Sequence, residues 1–232
     1  MANEQGIFRV SGASALLGAA AAIAGAAVGA IHQLGGQNLP LGGNKELLFL
    51  AANRQPYVLR ESLYLLVAIF AVGEGVGLYV LLRRAGSVVG WAIVAWMLGL
   101  CIGIVEDGIV LGVVSRLGAD YAQAAPPAQA GILAVSPTID MIIRVQQFTA
   151  NALSSGVGLL LFALGGLKTK LLPGWLTAIG LAASILVGWG YGLVSLTGAG
   201  GQGALMATES AFGLLVVWDV AVGIILLRRR DT

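Results

Sequence analysis

Histidine and cysteine are almost absent from this chain: one of each, His32 and Cys101, occurs in 232 residues. A single cysteine excludes an intrachain disulfide, and Cys101, inside an apolar run, reads as a small core residue rather than a reactive thiol. A single histidine excludes a multi-histidine metal, haem or quinone centre built by this chain alone. Charge is scarce as well. Charged residues make up 10% of the chain, where a soluble domain carries about 25%. The net charge of +2 is too small to point to nucleic acid as a partner. HExxH, GxSxG, CxxC, the P-loop and the dinucleotide fingerprint are all missing, which argues weakly against an enzyme and leaves any cofactor unknown.

What fills the chain instead is apolar. Hydrophobic residues make up 58% of it and the mean hydropathy is +0.90, an excess that needs lipid as solvent. Six apolar runs stand out, at 10–31, 62–82, 88–114, 138–167, 173–196 and 204–227. Each reaches the roughly 20 residues a helix needs to span about 30 Å of hydrocarbon. The alternating segments of about ten residues that mark a transmembrane barrel are absent. The expected fold is all-α: one domain, a polytopic bundle of six transmembrane helices. The first run follows Arg9 and is longer than the apolar part of a secretion signal, so it is expected to stay as a helix.

Six spans put both termini on one side. That side would carry Arg9, Arg83, Arg84, Lys168, Lys170, Arg228, Arg229 and Arg230, eight bases, against Lys45, Arg54, Arg60 and Arg116, four, on the other. The bias places the termini in the cytoplasm and the protein in the inner (cytoplasmic) membrane. The outer connection 32–61 should hold a short interfacial helix, Lys45 to Asn53, capped by Asn44 and ended by Pro56. The connection Ser115 to Pro137 reads as a lid or interfacial segment, and the connection from Thr197 to Gly203 is glycine-rich. Gly25-x-x-x-Gly29, Gly99-x-x-x-Gly103 and Gly108-x-x-x-Gly112 allow close helix approach, within one bundle or between copies. Trp91, Trp175, Tyr64 and Tyr79 sit where interfacial belts are expected, while Trp96, Trp189 and Trp218 lie deeper and read as packing.

Polar residues inside the spans carry the functional question. Asp140, Arg144, Gln147, Asn151 and Ser154 or Ser155 recur at steps of three or four, which places them on one helix face about 21 Å long. That stripe should face the bundle interior, with Asp140 and Arg144 spaced for an i,i+4 pair. Glu106 and Asp107 fall in the outer half of the third span, about 100° apart on their helix. The expectation is that one serves the interior and the other a neighbouring helix or subunit. Glu209 lies near the outer end of the sixth span; Glu74 and Asp219 lie deeper. In all, six acids stand against one base, Arg144. A charged Asp at a helix centre costs roughly 2.5–3.5 kcal/mol, so four bare ones would cost about 10–14 kcal/mol. A proton, a cation, water or a partner's base must offset them. His32, at the outer end of the first span, reads as an ordinary interfacial residue; ligating a pigment or metal would take help from another chain.

Phe8-Arg9-Val10-Ser11-Gly12 leading into the first span, the long connection before the second, and Leu171-Leu172-Pro173-Gly174-Trp175-Leu176 with Ile179-Gly180 resemble a bacterial family of six-span integral membrane proteins of unknown function. The resemblance implies a six-helix fold and transfers no functional residue. Two functions are expected from the residues. The first is a non-catalytic subunit or accessory protein of a membrane assembly, homo-oligomeric or larger. The alternative is a small transporter, or a protein binding a cation, proton or small molecule in an outward-facing cavity lined by spans three, four and six.

Overall fold

Helices account for every regular element among the described residues, and no strand occurs there. The structure is a computed structural model that describes residues 2–32, 34, 43–197 and 210–229. In chain order the helices are α1 (Ala2–Ile31), α2 (Asn44–Ala52), α3 (Arg54–Leu82), α4 (Ser87–Ile109), α5 (Ser115–Gln123), α6 (Pro126–Asn151), α7 (Leu160–Thr169), α8 (Gly174–Ala183), α9 (Gly192–Thr197) and α10 (Phe212–Arg228). Three π-helical segments, Val110–Val114, Ala152–Leu159 and Ser184–Tyr191, fuse α4 to α5, α6 to α7 and α8 to α9 without breaking the rods.

Five of the resulting helical stretches are long and apolar enough to cross a membrane: Glu4–Ile31, Arg54–Ala85, Ser87–Gln123, Pro126–Thr169 and Gly174–Val194. The predicted sixth span and the connection before it fall partly on residues outside those described. What is described, α10, is a 17-residue apolar helix. The outward faces carry large apolar side chains such as Leu98, Val105, Ile142, Ile185 and Leu193.

Several expected boundaries move. The second span begins at Arg54, eight residues before the apolar run, so Arg60 and Glu61 belong to the helix rather than to the outer connection. Pro56 does not end α2; it sits in the first turn of α3, where a missing N–H costs nothing. The N-cap of α2 is Gly43 rather than Asn44. The supposed lid at 115–137 is helical except at its bend, because Pro126 and Pro127 start α6 and Pro137 lies inside it. Pro137 leaves the Leu133 carbonyl without its usual donor, and the Ser136 hydroxyl donates to it at 3.3 Å. Cys101 is exposed on the outer face of α4 rather than in the core.

Close helix contacts are built on small residues. A Cβ on Gly12 would come within 2.8 Å of the Gly223 carbonyl, where α1 crosses α10. A Cβ on Gly188 would fall on the backbone of Gly156, where two π-helical segments cross. Gly25 lies against Tyr64, and Gly99 against the backbone of Ser154, whereas Gly108 and Gly112 face open space. Two of the three GxxxG motifs therefore serve packing inside the bundle and the third faces outward.

Two apolar clusters close the ends of the bundle. One joins Leu78, Leu82, Val89, Trp96, Phe162, Leu176 and Trp218. The other joins Leu47, Leu50, Tyr57, Val110, Val114, Tyr121 and Ile143, with α2 folded over α5 as a cap. Between the clusters the bundle is not filled.

Candidate functional site

The unfilled region is a cavity of about 560 Å³, within the range of drug-sized ligand sites. It extends from Tyr57 to Ala71 along α3, about 21 Å at the helical rise. Ala22, Ile23 and Ala26 of α1 form one side, and Phe212, Gly213, Leu215, Val216 and Asp219 of α10 another. α4 contributes Trp96, Gly99, Gly103, Glu106 and Asp107, and the α6 rod contributes Asp140, Ile143, Gln147, Asn151, Ser154 and Ser155.

The polar stripe on the fourth span thus faces the interior as its periodicity predicts. Asp140, Gln147, Asn151, Ser154 and Ser155 front the cavity, while Arg144 does not line it and instead donates from Nε to Asp140 Oδ2 at 2.7 Å. The angle between Glu106 and Asp107 misleads, because both face the same cavity. On α4 the two carboxyls bracket the arc through Gly99 and Gly103, where the lack of side chains lets the α6 rod approach closely at Ala150 and Ser154. A void as wide as this takes side chains spread over about 100° of one helix. Among the described residues neither Glu106 nor Asp107 makes a salt bridge or hydrogen bond. Glu106 is only 8% exposed.

Deeper in the bundle, Asp219 lines the cavity and hydrogen-bonds to Glu74 behind it. Glu74, 2% exposed, also accepts from the Trp218 indole N–H at 3.1 Å. Trp218 is more than packing, then. Trp96 donates its indole N–H to the Ala71 carbonyl at 2.9 Å and stands edge-on to Phe162. Gly75 gives it room, since a Cβ there would lie 2.6 Å from the indole. Trp189, by contrast, is 41% exposed while lying over Gly156. Trp218→Phe is expected to destabilise the protein by about 1–3 kcal/mol, because Glu74 loses a donor in a buried place. Thermal unfolding of purified protein measures this. The same change at Trp189, which donates no hydrogen bond among the described residues, should cost less; equal losses would show that the indole bond contributes nothing.

The sequence pattern missed Arg60 and Glu61. Arg60 is 1% exposed and Glu61 5%, with Arg60 Nη2 2.6 Å and Nε 2.8 Å from Glu61 Oε1. Adjacent residues on a helix do not normally face each other; here the long Arg60 arm bends back, lies 5.2 Å over the Tyr57 ring and passes Gly29 of α1. Tyr57 and Glu61 both line the cavity. Tyr64, placed by the sequence in an interfacial belt, lines it too. Because the buried pair adds one acid and one base, the surplus of acids persists: Glu61, Glu74, Glu106, Asp107, Asp140 and Asp219 stand against Arg60 and Arg144.

Of the other candidates, Glu209 lies outside the described residues. His32 is exposed just past the end of α1. No group of three or more His, Cys, Asp or Glu residues suited to a metal ion occurs among the described residues.

The fold is a helical bundle whose helices are long and apolar enough for a membrane, with an acid-rich cavity between them. Comparisons with protein-family models, with curated proteins and with solved structures find no match for this chain.

Proposed function

We propose that this chain is a six-span protein of the cytoplasmic membrane, both termini inside, that binds a small molecule in an outward-facing cavity. The observation that carries this reading is the meeting of Glu106 and Asp107, without a base or hydrogen-bond donor of their own among the described residues, on the wall of a 560 Å³ void. A bundle whose acids served only to join helices would pair them across its contacts, as Asp219 and Glu74 are paired. Three observations support the orientation. Arg83 pairs with Glu4 near the N-terminus at 2.7 Å. Lys168 donates to the Ala85 carbonyl at 2.9 Å, which brings these basic residues to one end of the bundle. The excess of bases on that side fits a cytoplasmic face. The resemblance of the Phe8–Gly12 and Leu171–Leu176 segments agrees with six spans and supplies no activity.

Ligand binding to the folded state raises its apparent stability. A panel of small organic cations, anions and neutral compounds is therefore expected to contain members that raise the thermal midpoint of the purified full chain. Gly103→Leu, which pushes a side chain into the cavity, should abolish that rise. If no charge class raises the midpoint, or if the rise survives the filling, the cavity is not a binding site.

The subunit reading is the second one, and one observation favours it. Gly108 and Gly112 present an open, outward small-residue face on the α4 rod, suited to another helix. A chain that ignores every compound yet purifies as a defined oligomer, and loses it on Gly108→Ile, would belong to that reading.

A further inference from the structure

We propose that the cavity takes a lipophilic organic cation, an inference that rests on the cavity being a binding site. The polar wall is rich in acceptors and poor in free positive charge. Glu106, more than nine-tenths buried and unpartnered among the described residues, fronts the void beside Asp107. The Ser154 hydroxyl spends its proton on the Ala150 carbonyl at 2.7 Å, so what it offers the cavity is lone pairs. The two bases nearby, Arg60 and Arg144, are held by Glu61 and Asp140. An anion would meet uncompensated carboxyls, and a neutral apolar compound would leave them facing hydrocarbon without a partner.

The rest of the lining selects among cations. Aliphatic side chains and the aromatic rings of Tyr64, Trp96 and Phe212 make up most of the walls. Rings of this kind attract a diffuse positive charge and welcome apolar bulk. A bare metal ion needs several oxygen ligands converging at short range, and the described residues offer no group of three. A small hydrated cation would forfeit its water to a largely apolar wall. A cation whose charge is spread over an apolar frame suits both halves: its charge faces Glu106 and Asp107 while its bulk fills the aliphatic and aromatic part.

The test uses aryl probes of similar bulk and different charge. Purified full-length protein in lipid nanodiscs is titrated by equilibrium dialysis with tetraphenylphosphonium, with tetraphenylborate, its near-isosteric anion, and with neutral triphenylphosphine oxide. Saturable binding is expected for the phosphonium, at least about tenfold tighter than for the other two, the ratio that one charge-assisted contact provides. Glu106→Gln and Asp107→Asn should each weaken phosphonium binding by about tenfold and leave the neutral compound unaffected. Should one variant fail to fold, as read by elution profile and helical circular dichroism, the other and the wild-type comparison still decide. Borate or oxide bound as tightly as the phosphonium, or a phosphonium affinity that neither folded variant changes, would overturn the cation assignment and leave the binding site standing. If none of the three probes binds saturably, both the assignment and the binding site fall.

Discussion

Replacing Arg60 with Met is expected to lower the stability of the protein by about 3–5 kcal/mol, the cost of stranding one member of a buried ion pair. Arg60 and Glu61 are both nearly inaccessible and lie 2.6 Å apart. Met keeps most of the length and apolar stem of arginine but removes the charge and the donors. Glu61 would then face the cavity end of the bundle with no base, in a region already crowded by Glu106 and Asp107. For a chain of this size the loss should appear as a drop of roughly 6–20 °C in the thermal midpoint. Adding Glu61→Gln to the same chain should recover most of it, since removing both partners of a buried pair is close to neutral. A single variant as stable as the wild type would show that the pair is not what keeps this end of α3 buried. A double variant no better than the single would instead assign the cost to lost packing of the arginine stem over Tyr57 and Gly29.

The same pair shows where sequence reading stops. Apolar runs located the cores of the helices, because burial in lipid is a matter of composition summed over about 20 residues. Such a run ends at the first cluster of charges, so α3 appeared to start after Glu61. In the structure the helix begins at Arg54 and buries Arg60 and Glu61 within it because the two neighbouring charges neutralise each other, and that is a property of pairing rather than of hydropathy. The stripe from Asp140 to Ser155 was readable because helical periodicity fixes which residues share a face. What periodicity could not give is the width of the space that face looks into. The angle between Glu106 and Asp107 suggested divergence; the void is wide enough for both to line it. The cap formed by α2 over α5 was half readable. The sequence predicted a short interfacial helix there, but nothing in the pattern paired it with Gly118, against which Leu47 and Ala51 lie. The π-helical segments left no trace in the pattern at all.

Those segments matter because they position the cavity wall. Ser154 and Ser155 belong to the segment Ala152–Leu159, and the segment Ser184–Tyr191 crosses it at Gly156 and Gly188. π-helical insertions recur at functional sites, where the extra residue per turn redirects side chains. Here the crossing is so close that no side-chain atom fits between the two backbones, while the Trp189 indole covers Gly156 from the side.

Gly188→Ala is therefore expected to be among the most damaging single-methyl changes in the chain. Its Cβ would fall on the Gly156 backbone, and a backbone cannot turn aside as the end of a flexible side chain can. The two rods must separate, giving up van der Waals contact along the whole crossing, which is the main force that holds helices together in lipid. Over-packing of this kind costs about 1–3 kcal/mol or more, and the displaced rod carries Ser154 and Ser155 away from the cavity. The variant should lose thermal stability and ligand response together. Gly108→Ala is the control, since open space surrounds that position. Alanine there should be neutral or stabilise by about 0.5–1 kcal/mol through reduced backbone freedom in the unfolded chain. Thermal midpoints of the two variants, measured side by side, decide the point. If Gly188→Ala matches Gly108→Ala, the crossing is looser than described, and the placement of Ser154 and Ser155 on the cavity wall goes with it.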